Sequence, residues 1–218
     1  MQNRLLSRNS AFRMSAEMIR DQALAASGLL RPQIGGPSVK PYQPGGLWEE
    51  VSYNAEDSYE ESKDDGLWRR SLYTYLKRQV PPPSLLAFDG TTREKCTVQR
   101  ARTNTPIQAL ILLNDPTYLE AARMLANSVL LTKASSDERI SEIFRRILSR
   151  TPEPRESALL IDLLQRQRIH FRTDPTAADQ LLHVGASRHE NSHAPTELAA
   201  WTMTAHTILN LDEAITRR

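Results

Sequence analysis

Apolar positions recur at helical spacing along most of the chain, and the polar residues between them punctuate the pattern with start and stop signals. Ser15 precedes a stripe of Ile19, Ala23 and Ala26 that Gly28 ends, so a first helix with Ser15 as its cap is expected, with Leu29 and Leu30 folding back onto that stripe. Thr105-Pro106-Ile107-Gln108 has the form of a capping box with proline at the first helical position. The apolar run that follows reaches Asn114-Asp115-Pro116, a second start signal, so two helices are expected to meet there at a corner. Beyond it, Tyr118, Ala122, Leu125 and Val129 form one stripe, and Ser135 with Glu138 caps another through Ile140, Ile143, Phe144, Ile147 and Leu148. Thr151-Pro152, Asp174-Pro175 and Pro195 predict three more helices, the last carrying Leu198, Trp201, Ala205 and Ile208 on one face, with a final turn over 210–215. No strand-like alternation of convincing length appears outside the ambiguous Leu72–Leu76. The pattern therefore predicts an all-α fold over 1–218, mostly antiparallel helices with short proline-capped connections.

One stretch breaks the rhythm. Residues 32–46 hold four prolines and four glycines, and 47–66 follow with eight acids against one base, so 32–66 reads as a long loop insertion, mobile in its acidic half. Residues 67–102 then carry eight bases and two acids, so the two segments either pair within the chain or stand as solvated faces. A nucleic-acid site in the basic segment is disfavoured, because Trp68, Tyr73, Tyr75 and Phe88 are few and no binding motif accompanies them. No window reaches the apolar length of a membrane span, and the arginine-containing N-terminus lacks the apolar core of a signal peptide.

Candidate chemistry is sparse. His189-Glu190-Asn191-Ser192-His193 matches H-E-x-x-H, in which two imidazoles one helical turn apart hold zinc beside a glutamate base. Asn191 and Ser192 are poor helix-interior residues and Ala194-Pro195 ends any helix there, which weighs against this metal site, although His183 lies near in sequence. His170 and His206 read as packed or partly exposed histidines. Cys96, the single cysteine, lies between Lys95 and Arg100, cations that favour a thiolate, but no base can be named for it from spacing. The densest polar cluster is the link 89–104 with the helix starts after it, which carries either surface residues or an ionic network that fixes the link in one shape.

The strings RRSLYTYLKRQVPPPSLLAFD, REKCTVQRARTNTPIQALILLNDP and PTELAAWTMTAHTILNLDEAITR, with NRLLSRN and MSAEMIRDQALAASGLL at the start, carry a resemblance over nearly the whole chain. They resemble the C-terminal domain, itself of unknown function, of planctomycete-type secreted cytochrome-c-associated proteins. The resemblance implies an exported protein in which a haem-binding cytochrome segment and a second domain precede this one, with haem c held there and no cofactor in this chain. This chain has no C-x-x-C-H motif, so on that pattern it is expected to be a C-terminal fragment of a larger protein. The recurring positions of the family fall on Asp89, Arg93, Cys96, Arg100, Arg102, Thr103, Asn104, Thr105, Pro106, Gln108, Asn114 and Asp115, whose role is unassigned. Two functions follow as expectations. One is a non-catalytic helical module that docks on the rest of the parent protein or its cytochrome domain. The other is an extracellular carbohydrate-processing enzyme, hydrolytic or oxidative, with a polysaccharide substrate and a polar site around 89–115.

Overall fold

The protein is represented by a computed structural model that describes residues 11–53, 56–132, 134–188 and 193–217. Most of its long helices begin where the caps and prolines place them. The hydroxyl of Ser15 caps α1 (Ala16–Ser27), and Gly28 closes it in the left-handed conformation. Two short helices, α2 (Leu47–Val51) and α3 (Pro83–Ala87), sit in the long connection, with 3-10 turns at Asp64–Trp68 and Ser71–Tyr73. The expected corner follows: α4 (Pro106–Asn114) ends at Asp115, whose extended backbone turns the chain and whose carboxylate caps α5 (Pro116–Leu130). Ser135 and Glu138 form their reciprocal capping box on α6 (Ser136–Leu148).

The next helix starts later than Thr151-Pro152 predicts. Ser149 takes a left-handed backbone, and α7 runs Pro154–Thr173 because Glu153 and Glu156 cap each other reciprocally, which places Pro154 rather than Pro152 in the first turn. Glu156 is also gripped by Arg150 at 2.7 Å, and the same guanidinium reaches Glu213 at 2.7 Å. Helices α8 (Pro175–Leu182), α9 (Pro195–Leu209) and α10 (Asp212–Ile215) complete the all-α fold. The strands were not legible in the pattern. β1 (Phe12–Arg13) and β2 (Thr216–Arg217) pair antiparallel, and two residues each are too few to show alternation.

Helix α5 is the axis of the core. It packs most extensively on α9, and also on α1 and α6, while α9 in turn packs on α7 and α8. Close approach is possible because the buried faces are small: Ala121, Ala122 and Ala126 on α5 and Ala199, Ala200 and Ala205 on α9 are fully buried, with Leu125, Trp201 and Ile208 filling the space beside them. Leu29 folds back as expected, but onto Leu24, Leu67 and Trp68 in a second, smaller cluster rather than onto the Ile19–Ala26 stripe.

The connection 31–80 is tied to this core by side chains. Buried Arg69 donates to the carbonyls of Gln33, Gly35 and Pro37 and lies over the Tyr73 ring, so one guanidinium gathers the Pro/Gly-rich turn. Isolated bridges join Arg31 to Arg69 and Val39 to Thr74. The acidic segment meets the basic one through Asp57 and Lys77, 2.6 Å apart, while Glu50, Glu56, Glu60 and Glu61 stay exposed. Lys40 lies 4.8 Å over the Trp48 ring, with Tyr59 and Tyr75 also around it.

Candidate functional site

The link 89–104 is built as a loop with a closed neck. Asp89 follows α3 in a left-handed backbone (φ 59°) that aspartate tolerates better than most residues, and its carboxylate accepts from the Thr103 amide at 2.7 Å and from the Thr103 hydroxyl at 2.9 Å. That hydroxyl accepts in turn from Gln108 Nε2 at 3.0 Å, and Gln108 also donates to the Ala87 carbonyl at 2.9 Å. Gln108 is 1 % exposed, so these contacts occupy its amide nitrogen fully. The expected Thr105–Gln108 capping box does not form: the Gln108 side chain is committed to the neck, and its backbone amide donates to the Thr105 carbonyl at 3.1 Å rather than to the Thr105 hydroxyl. Gly90 completes the turn, where a Cβ would meet the Leu85 carbonyl oxygen at 2.6 Å.

The structure brings only part of the expected cluster together. Asp89, Thr103 and Gln108 form the neck, while Arg93, Cys96, Arg102, Asn104 and Pro106 are exposed. Arg100 reaches out to Glu17 at the start of α1, at 2.7 and 2.9 Å. Burial alone would raise the Glu17 carboxyl, but the Arg100 contact, together with a backbone amide and the Ser15 hydroxyl, outweighs it and holds the group below the usual range. Arg102 lies 5.2 Å over the Phe12 ring. Asn114 donates to the Leu110 carbonyl inside its own helix, and Asp115 is committed to capping α5 through the Thr117 amide at 2.8 Å. The arrangement is therefore a pinned neck with an exposed loop, not a set of groups converging on one reacting atom.

The deeply buried charges lie elsewhere, on helices whose stripes read as apolar. Glu120 on α5 is fully buried; it accepts from the Trp68 indole at 2.9 Å and from the Ser187 amide at 2.6 Å, with Arg123 4.0 Å away. Arg123, 2 % exposed, donates to the Ser187 carbonyl and hydroxyl and to the Val184 carbonyl. On α1, buried Arg20 donates to the carbonyls of Leu67 and Arg69 and to the Ser71 hydroxyl. Burial pulls both arginines below the usual guanidinium range. These groups fasten the loops 67–71 and 184–187 onto the helices. A signal for Glu120 and Arg123 existed in the alanines around them, since a helix approached closely on several sides leaves its charges no route to solvent.

Beside the corner lies a groove of about 670 Å³, lined by Leu110, Ile111, Asn114, Asp115 and Pro116 on one side and by Tyr42, Gln43, Pro44, Glu61, Pro83 and Ser84 on the other. Its walls are overwhelmingly apolar. Tyr42, Ser84 and Asp115 also border a cavity of about 10 Å³ against Arg20, Thr74 and Tyr118, room for one water-sized group. Burial pushes the Asp115 carboxyl up, against the lowering effect of the Thr117 bond, and raises the Tyr118 hydroxyl. Along α4 the outer side chains Ile107, Leu110 and Leu113 are 56, 58 and 49 % exposed.

Among the described residues, no group of three or more His, Cys, Asp or Glu is placed to hold a metal ion. The H-E-x-x-H reading falls on His189 and Glu190, which lie outside the described residues, and on His193, which is described. His206 is buried, its Nε2 at 2.9 Å from the Leu112 carbonyl, and burial lowers its pKa despite that bond. His170 packs against the Phe171 ring, and His183 is exposed with its Nδ1 2.7 Å from the Asp179 carbonyl. No described helix is long and apolar enough to cross a membrane.

No curated protein and no solved structure matches the chain. Residues 1–164 of the 218 do match a known family across the first helices, the pinned neck, the α4–α5 corner and α6, and on that match the protein belongs to the PSD1 family of proteins of unknown function (DUF1553).

Proposed function

We propose that the chain is a non-catalytic docking module of an exported, cytochrome-c-associated protein, with the outer face of α4 and the groove beside it as its contact surface. The observation that carries this reading is the row Ile107, Leu110 and Leu113, each about half exposed at three-residue spacing on one short helix. Aliphatic side chains aligned in water beside an apolar groove have the composition of a surface that a partner covers. The interior supports the same reading, because Arg20, Arg69, Glu120 and Arg123 are engaged with the chain's own backbone groups. The partner is the haem-bearing segment of the parent protein, and the setting is the periplasm or cell surface, both as the sequence resemblance implies.

A photo-crosslinking residue in place of Leu110, in the protein expressed in its own host, tests this. Cross-linked peptides are expected to map to a segment around a C-x-x-C-H haem attachment. Cross-links spread evenly over unrelated envelope proteins would overturn the docking reading. Polysaccharide-degrading activity that Asp115→Asn abolishes without loss of stability would establish the carbohydrate-processing alternative instead, since asparagine keeps the cap but removes the carboxyl.

A further inference from the structure

We infer that the groove beside α4 takes a polypeptide segment of aliphatic side chains carrying at least one basic residue; this rests on the docking reading above and names the chemistry of its partner. The walls decide the class of ligand. Leu110, Ile111 and Pro116 face Tyr42, Pro44 and Pro83 across about 670 Å³, within the range of pockets that bury several side chains. A sugar brings a hydroxyl at almost every carbon and needs a polar partner for each, which an apolar wall of this kind does not supply. A row of aliphatic side chains needs none. Three of those six residues are prolines, one of them at the start of α5, whose fixed backbone preforms the groove and lowers the cost of ordering it on binding.

Charge decides the second feature of the partner. The carboxylates of Glu61 and Asp115 both border the groove. Glu56 and Glu60 are exposed on the same segment as Glu61, as is Lys63, while Lys77 is drawn to Asp57 at 2.6 Å. Buried Arg20, hydrogen-bonded to the carbonyls of Leu67 and Arg69, borders the small cavity behind Asp115 and offsets part of that carboxylate's charge, so Glu61 carries most of the negative charge at the groove. The groove mouth thus presents negative charge over an apolar floor. A rim ion pair adds little affinity but sets partner choice and association rate, so the aliphatic contacts hold the segment and the basic residue selects it.

The test is a selection of random dodecapeptides displayed on phage against the immobilised chain, with counter-selection on Leu110→Asp, a substitution at an exposed position. The expected peptides combine Leu, Ile or Val with Lys or Arg. Their synthetic versions should bind about tenfold or more weakly to Leu110→Asp, as truncation of a central anchor does. Glu61→Gln should weaken them about threefold at low salt, and the difference should fade at about 1 M salt, where such rim charges are screened. Enriched peptides that depend on Leu110 but carry no basic residue, and ignore Glu61→Gln, would overturn the partner chemistry while leaving the docking reading standing. Failure to enrich any peptide that distinguishes the chain from Leu110→Asp would overturn both.

Discussion

Replacing Glu120 with alanine tests whether the buried charges hold the outer loops to the core. The substitution removes the acceptor of the buried Trp68 indole at 2.9 Å and of the half-buried Ser187 amide at 2.6 Å. It also deprives Arg123, 2 % exposed, of the carboxylate 4.0 Å away. Each orphaned donor costs about 1–3 kcal/mol, and breaking a buried ion pair from one side costs about 3–5 kcal/mol in total; the two figures overlap, so we expect a loss of about 3–5 kcal/mol. For a domain of this size that corresponds to a fall in Tm of roughly 6–20 °C. Urea unfolding followed by tryptophan fluorescence reads it, and Trp68 itself reports on the site. Arg123→Met in the same background should recover part of the loss, because the buried guanidinium that faced the Glu120 carboxylate goes with it, giving a coupling of about 1–3 kcal/mol in the double-mutant cycle. A loss under about 1 kcal/mol, or strictly additive effects, would refute the reasoning.

Other expectations follow from the same contacts. Gly185→Ala puts a Cβ 2.6 Å from the Glu120 carboxyl carbon and 2.8 Å from its Cβ at φ +86°, so it should cost at least about 1–3 kcal/mol by urea midpoint, and Glu120→Ala, which keeps that Cβ, should not abolish the cost. Ala122→Leu, fully buried in α5, should cost about 1–3 kcal/mol from overpacking; an unchanged urea midpoint would show that the core has slack. Asp89→Asn should be nearly neutral in thermal unfolding, since asparagine tolerates φ 59° and still accepts from Thr103, whereas Asp89→Val should lose both features and melt several degrees lower. Burial lowers the folded-state pKa of His206 below 6.5, so its contribution is complete above pH 6.5 and is lost as pH falls from there towards the folded-state value; in His206→Gln, urea midpoints should no longer decline over the upper part of that range.

Much of this architecture is legible in the sequence, and the reason is locality. A cap, a first-turn proline or a left-handed glycine acts within one helical turn, so Ser15 and Gly28, Asp115-Pro116, Ser135 with Glu138, and Asp174-Pro175 announce their helices whatever the rest of the chain does. The all-α class and the α4–α5 corner follow from those signals. Where two local signals competed, only the fold could choose: Glu153 with Glu156 displaced Thr151-Pro152 as the start of α7, and the Gln108 side chain left its expected cap because the Ala87 carbonyl, brought in from the other side of the loop, took its amide together with nearby Thr103.

The candidate site was legible as a cluster and not as a shape. Asp89, Thr103 and Gln108 stand out in the sequence, but nothing in their spacing says that they close a neck while Arg93 and Cys96 remain outside it. Burial of Glu120, Arg123 and Arg20 depends on loops 184–187 and 67–71 arriving over them, and the groove exists only because two proline-rich segments, 41–44 and 81–83, come to rest against α4. The pairing of Phe12–Arg13 with Thr216–Arg217 joins positions some two hundred residues apart. By itself the sequence determined the capped helices and the corner, since their energetics are local; the short helices α2 and α3, the charged interior, the neck and the groove were decided by tertiary packing, since whether a side chain meets solvent, a carbonyl or an apolar wall is a property of what arrives from elsewhere in the chain.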